Sequence, residues 1–165
     1  MKTVFFVRHA KSSWSDQSLA DIERPLNNRG LRDAPFMAAL LKGKAVEADQ
    51  LISSPANRAF TTATYFAEAL GVQREDILVR NEIYEAWPED IINIVQSAEE
   101  AWSTILIFGH NPTMTSIANI FSKEYIANVP TCGIVKVVAP VDNWSMFRRE
   151  NAKMEQFYYP KQYFT

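Results

Sequence analysis

The sequence predicts an α/β protein: a three-layer, doubly wound, mostly parallel sheet of about six strands with helices on both faces. Three observations carry this. Short β-branched or aromatic runs alternate along the chain with longer amphipathic stretches. Several runs, Val4-Phe5-Phe6-Val7 and Ile105-Leu106-Ile107-Phe108 among them, are apolar without a break, as strands covered on both faces are. Prolines and a glycine punctuate the helical stretches where helices begin and end.

The elements follow in order. Strands are expected over residues 2–7, 49–53, 77–80, 104–108 and 133–139, with a weaker sixth over 155–159. Residues 29–44 are helical by period, with Pro35 awkwardly inside. A kink is expected there, or a helix that starts near Asp33 or Ala34. From Pro55, with Ser54 as N-cap, Phe60, Ala63, Ala67 and Leu70 share a face, and Gly71 can end the helix. From Pro88, Ile91, Val95, Ala98 and Trp102 repeat the spacing. From Pro112, with Asn111 as N-cap, Met114, Ile117, Ala118 and Phe121 do so again. Residues 10–28 form the longest irregular stretch, and long loops in compact domains are usually functional.

A chain of 165 residues fits a single domain over residues 1–165. Its 47% hydrophobic and 22% charged content is ordinary for a globular protein, which argues against disorder or a fibre. The formal net charge of -2 gives no general attraction to nucleic acid or to an anionic membrane, so an anion site would need a local cluster of arginines. The lone Cys132 cannot form an intramolecular disulfide, and no run is long enough for a signal peptide or a membrane span. A cytoplasmic protein is expected. Nothing in the composition sets an oligomeric state.

The chain has two histidines, and each directly follows an expected strand. His9 stands in Val7-Arg8-His9-Ala10-Lys11-Ser12, and His110 in Gly109-His110-Asn111-Pro112. A third segment, Ser53-Ser54-Pro55-Ala56-Asn57-Arg58-Ala59, adds another arginine. In doubly wound sheets ligands bind beyond the carboxyl ends of the strands, where Arg8, His9, Arg58 and His110 all map. A neutral imidazole is a good nucleophile toward phosphorus and yields a phosphohistidine that water can hydrolyse. Arg8 and Arg58 would match the phosphoryl oxygens with guanidinium forks. His110, protonated beside the same oxygens, would add charge stabilisation. The first amides of the helices after Ser54 and Asn111 would also point at the anion. The arginines carry the neutralising charge, so neither a metal nor another cofactor is expected.

These segments resemble the histidine phosphatase superfamily, with its phosphoglycerate mutase-like fold. The resemblance rests on Arg8-His9-Ala10, on Ser54-Pro55-Ala56-Asn57-Arg58-Ala59 with Thr62-Ala63, and on Gly109-His110-Asn111-Pro112. The short length, Lys11-Ser12-Ser13-Trp14, Asp21 with Arg24-Pro25-Leu26-Asn27 and Gly30, and Ile83-Tyr84-Glu85-Ala86 are similar to SixA-type phosphohistidine phosphatases. The resemblance implies His9 as the phosphorylated nucleophile and Arg8, Arg58 and His110 as the phosphate pocket. It suggests that Arg24 reaches the substrate, and Ser12 and Lys11 are candidate substrate-binding residues beside it. Two departures stand out: Ala10 replaces the usual glycine, which fits if its φ is negative, and Lys11 replaces an acidic or amide residue.

Glu82 and Glu85 are candidate proton donors to the leaving group, with exposed loop carboxylates as the alternative. A phosphohistidine substrate would need such a donor less, because imidazole leaves more easily than an alkoxide. The favoured substrate is therefore phosphohistidine on a protein. A small phosphorylated metabolite is the alternative, and a non-catalytic phosphate-binding module a further one. Other motifs fail: Cys132 has Val138 rather than arginine six residues on, and reads as a small residue at a strand start. The tail aromatics Phe157, Tyr158, Tyr159, Tyr163 and Phe164 are expected to pack at strand and edge.

Overall fold

A computed structural model of the chain describes residues 1–164. Six strands form one sheet in the order β3-β2-β4-β1-β5-β6. They are β1 (Lys2–Arg8), β2 (Gln50–Ser53), β3 (Leu78–Val79), β4 (Thr104–Gly109), β5 (Ile134–Ala139) and β6 (Lys153–Tyr158). β1–β4, β2–β4 and β2–β3 pair in parallel, while β5 runs antiparallel to both β1 and β6. The mostly parallel α/β architecture is as expected. Strand β3 is shorter than its apolar run, and its two residues lie half-exposed at the sheet edge.

Successive strand residues point to opposite faces, and this divides the core in two. Val4 and Phe6 of β1, with Ile105 and Ile107 of β4, pack under α3 (Pro88–Gln96) and α4 (Thr113–Phe121). Phe5 and Val7, with Leu106 and Phe108, pack under α1 (Asn28–Gly43) and α2 (Asn57–Leu70). Unbroken apolar runs are what two such layers require. Among the described residues, no helix is long and apolar enough to cross a membrane.

Three helix boundaries differ from the sequence expectation, and at α1 the period outweighs the proline. Helix α1 matches the span 29–44 to within one residue, starting at Asn28 rather than near Asp33 and running through Pro35; the Asn27 side chain caps it by accepting from the Gly30 amide at 2.9 Å. Helix α2 starts at Asn57, because Ala56 is extended at ψ 134° and so stands as the N-cap; the Ser54 hydroxyl accepts from the Ala56 amide, ahead of the helix rather than within its first turn. Helix α4 starts at Thr113, with the Asn111 side chain accepting from the Thr115 amide. Helix α3 stops at Gln96, so Ala98 and Trp102 pack against the core from the connection to β4. Gly71 ends α2 at φ 75° as expected. The tail folds back, setting Phe164 4.6 Å from Phe36 between ring centroids.

Candidate active site

The register of the two central strands brings the histidines together. Arg8 pairs with Gly109, so the next residues, His9 and His110, emerge side by side beyond the carboxyl edge, with ring centroids 5.2 Å apart. The His9 amide donates to the Gly109 carbonyl at 3.0 Å. On the other flank of β4 the Ser54 amide donates to Phe108, which places the Ser54 hydroxyl 2.8 Å from His110 Nε2. Arg58, in the first turn of α2, reaches the same space. The Cys132 amide donates to both the Arg8 and His9 carbonyls at 3.0 Å, which holds the His9 segment from the β5 side.

His9 is buried and its Nδ1–H donates to the Ala10 carbonyl at 2.7 Å. That bond fixes the tautomer and leaves the Nε2 lone pair free. Burial chiefly, then the positive charge of His110, Arg58 and Arg8, pushes the His9 pKa down to about 3 against the pull of the Ala10 carbonyl. His9 is therefore a neutral base at physiological pH. His110 is lowered to about 4, by burial first and then by Arg58, with Asp21 opposing. With these neighbours His110 is neutral, and the protonated form expected from the sequence would need the charge of an anion beside it.

Three buried polar atoms here lack a hydrogen-bond partner: Arg8 Nε, Arg58 Nε and His110 Nδ1. Leaving such groups unpaired is costly, and their gathering beside His9 describes an anion cradle. At α4 the helix amides contribute less than expected. Met114, Thr115 and Ser116 amides are taken by His110, Asn111 and Pro112 oxygens, so the start of α4 is capped within the chain. Ala10 is not among the positive-φ residues, and its amide donates to Thr62 Oγ1, so alanine fits where glycine is usual.

The remaining sequence candidates separate. Arg24 is buried; its Nη1 donates to Ser12 Oγ at 2.8 Å, and its guanidinium stacks 3.4 Å from the Trp14 ring centroid. Ser12 thus orients Arg24, while the Lys11 side chain is exposed. Glu82 is paired with Arg80 at 2.6 Å, which holds its carboxyl below the usual range. Glu85 lines a cleft of about 490 Å³ with Trp87, Thr113 and His110. Sequence reasoning missed Asp21 and Tyr84 as site residues. Asp21 accepts from Arg24 Nε and Arg58 Nη2, both at 3.1 Å, and from the Tyr84 hydroxyl at 2.5 Å. The Tyr84 ring stands edge-on to His110. Both lay in segments similar to the SixA type, but nothing in their spacing pointed to contact.

Residues 4–86 match the family described as the histidine phosphatase superfamily (branch 1). The chain belongs to the histidine phosphatase superfamily. His110 lies beyond the matched residues, and the strand register is what brings it to the site. The fold is similar to that of a putative phosphohistidine phosphatase SixA from Agrobacterium tumefaciens, with a TM-score of 0.81, 25% identity and coverage of 96% of this chain and 98% of that one. A protein histidine phosphatase SixA complexed with tungstate gives a TM-score of 0.79 at 22% identity, covering 94% of this chain and 95% of that one. An uncharacterized protein of Mycobacterium leprae (strain TN) is 27% identical over 94% of this chain and 100% of its own. Membership of this superfamily supports phosphatase activity.

Proposed function

We propose that the protein hydrolyses phosphohistidine on a protein, through a phosphoryl group carried transiently on His9. The observation that carries this is the His9 Nδ1–H bond to Ala10, which aims a neutral Nε2 into a pocket where Arg8 Nε, Arg58 Nε and His110 Nδ1 stand unpartnered. The Nε2 lone pair attacks phosphorus as the substrate P–N bond breaks and its electron pair returns to the departing imidazole. If the distal nitrogen of that ring already holds a proton, the ring leaves neutral and needs no acid. Water then attacks the phosphorus on His9, the P–Nε2 bond breaks, and inorganic phosphate leaves with the proton count of water conserved. The two arginines and His110 oppose the charge on the equatorial oxygens in both steps.

Three features favour a protein-borne phosphoramidate. Glu82 is engaged by Arg80, and the Asp21 carboxyl is pulled down to about 2, chiefly by the Tyr84 hydroxyl, so neither holds a proton near neutral pH, and of the candidate donors only Glu85 stands in the cleft beside His110. The site mouth carries exposed indoles, Trp14 at 69% and Trp87 at 75%, which a protein partner can cover. The structural relatives include phosphohistidine phosphatases. A cytoplasmic location suits this reading.

The test is a substrate panel of phosphohistidine protein, phosphoserine peptide and sugar phosphates, run on wild type and His9→Ala. Phosphohistidine is expected to be cleaved fastest, with at least about a thousand-fold loss in His9→Ala. An acid-labile, base-stable phosphoryl group should be trapped on wild type alone. Undiminished turnover in His9→Ala would reject the nucleophile, and faster cleavage of sugar phosphates would reject the substrate class.

A further inference from the structure

Asp21 is out of place in a pocket built for an anion. Its carboxylate, with a side chain 46% exposed, stands among the arginines that would hold the phosphoryl group, and its charge repels that group. Yet it collects donors from three parts of the chain. Arg24 Nε comes from its own loop, Arg58 Nη2 from α2 and the Tyr84 hydroxyl from the turn after β3. The Asp21 backbone carbonyl takes Arg58 Nη1 as well, at 2.8 Å. Arg58 is thereby held at both terminal nitrogens, and its buried Nε is left as the donor with no partner.

We propose that Asp21, steered by Tyr84, is a positioning residue of the phosphoryl pocket: it fixes the Arg58 and Arg24 guanidiniums in one orientation and thereby gains alignment while weakening oxyanion affinity. This rests on the phosphatase reading above. Proton donation is a poor alternative role, because the Tyr84 hydroxyl bond keeps the Asp21 carboxyl ionised and Asp21 in turn raises the Tyr84 hydroxyl. A carboxylate held by two guanidiniums and a phenol is rigid, and rigid donors stabilise a transition state better than mobile ones.

The inference is tested with Asp21→Asn, Tyr84→Phe and the double variant, measuring kcat and KM on p-nitrophenyl phosphate and the Kd of tungstate by calorimetry. Asp21→Asn is expected to lower kcat about 10- to 100-fold through misalignment. It should bind tungstate several-fold tighter, because a repelling charge is gone. Tyr84→Phe keeps the charge, so kcat should fall by about 3- to 10-fold with tungstate Kd unchanged. The double variant should be no slower than Asp21→Asn alone, to within about twofold, if the two act as one unit. A merely structural role would weaken turnover and tungstate binding together. That outcome, or kcat within twofold of wild type in Asp21→Asn, overturns the proposal. Should Asp21→Asn not fold, an unchanged kcat in Tyr84→Phe overturns it. If wild type itself neither binds tungstate nor cleaves the ester, the phosphatase reading fails first and takes this inference with it.

Discussion

At the scale of single residues, the two histidines share a pocket and differ in their partners. His9 gives its Nδ1 proton to a backbone carbonyl, whereas His110 meets a serine hydroxyl and leaves Nδ1 unpaired. The free His110 titrates at about 4 because burial and Arg58 disfavour its charged form. A bound dianion works the other way and raises its proton affinity. Tungstate binding is therefore expected to take up as much as about one proton as the pH falls from about 7 toward 5. Calorimetry in buffers of different ionisation heat reads this directly, and His110→Gln should abolish the uptake. Equal heats in all buffers would show that His110 stays neutral beside the anion.

At the scale of elements, one glycine decides whether the loop after His9 can lie where it does. A Cβ on Gly30 would stand 2.2 Å from the Lys11 carbonyl oxygen, so α1 touches the loop after His9 backbone to backbone. Gly30→Ala is expected to destabilise the fold by roughly 1–3 kcal/mol through overpacking. It should also lower kcat, since the displaced segment carries Lys11 and Ser12, and Ser12 orients Arg24. Denaturant melts and initial rates check both, and wild-type values in both would mean that α1 shifts without disturbing the loop. The same helix shows why boundaries were hard to read: Pro35 suggested a kink or a late start, but the Asn27 cap begins the helix about one and a half turns before Asp33.

At the scale of the whole molecule, the buried histidines couple stability to pH. Both have folded pKa values depressed, to about 3 and about 4, below the unfolded value of 6.5. The unfolded chain therefore binds more protons as the pH falls through 6.5, and stability present above that value is lost below it. Each histidine contributes a slope of up to ~1.4 kcal/mol per pH unit until its own folded pKa is reached. The melting temperature should fall steadily from pH 7 to pH 4, and tungstate should blunt the fall by favouring protonated His110. A variant with both histidines replaced by glutamine should lose most of this dependence; an unchanged slope would assign it to other groups.

The alternation of apolar runs and amphipathic helices determined the layered architecture by itself, because burial on both faces leaves a strand no freedom in composition. It also located Arg8, His9, Arg58 and His110, since each follows or closely trails a strand whose end is visible in the sequence. The strand order, which sets β4 beside β1 and so one imidazole against the other, was decided by tertiary structure. So were the parts played by Asp21 and Tyr84, and the separation of Glu82 from Glu85. Hydrophobic periodicity records which face of an element is buried. It carries no information about which polar side chains meet across a loop, because those contacts depend on distances between elements far apart in the chain.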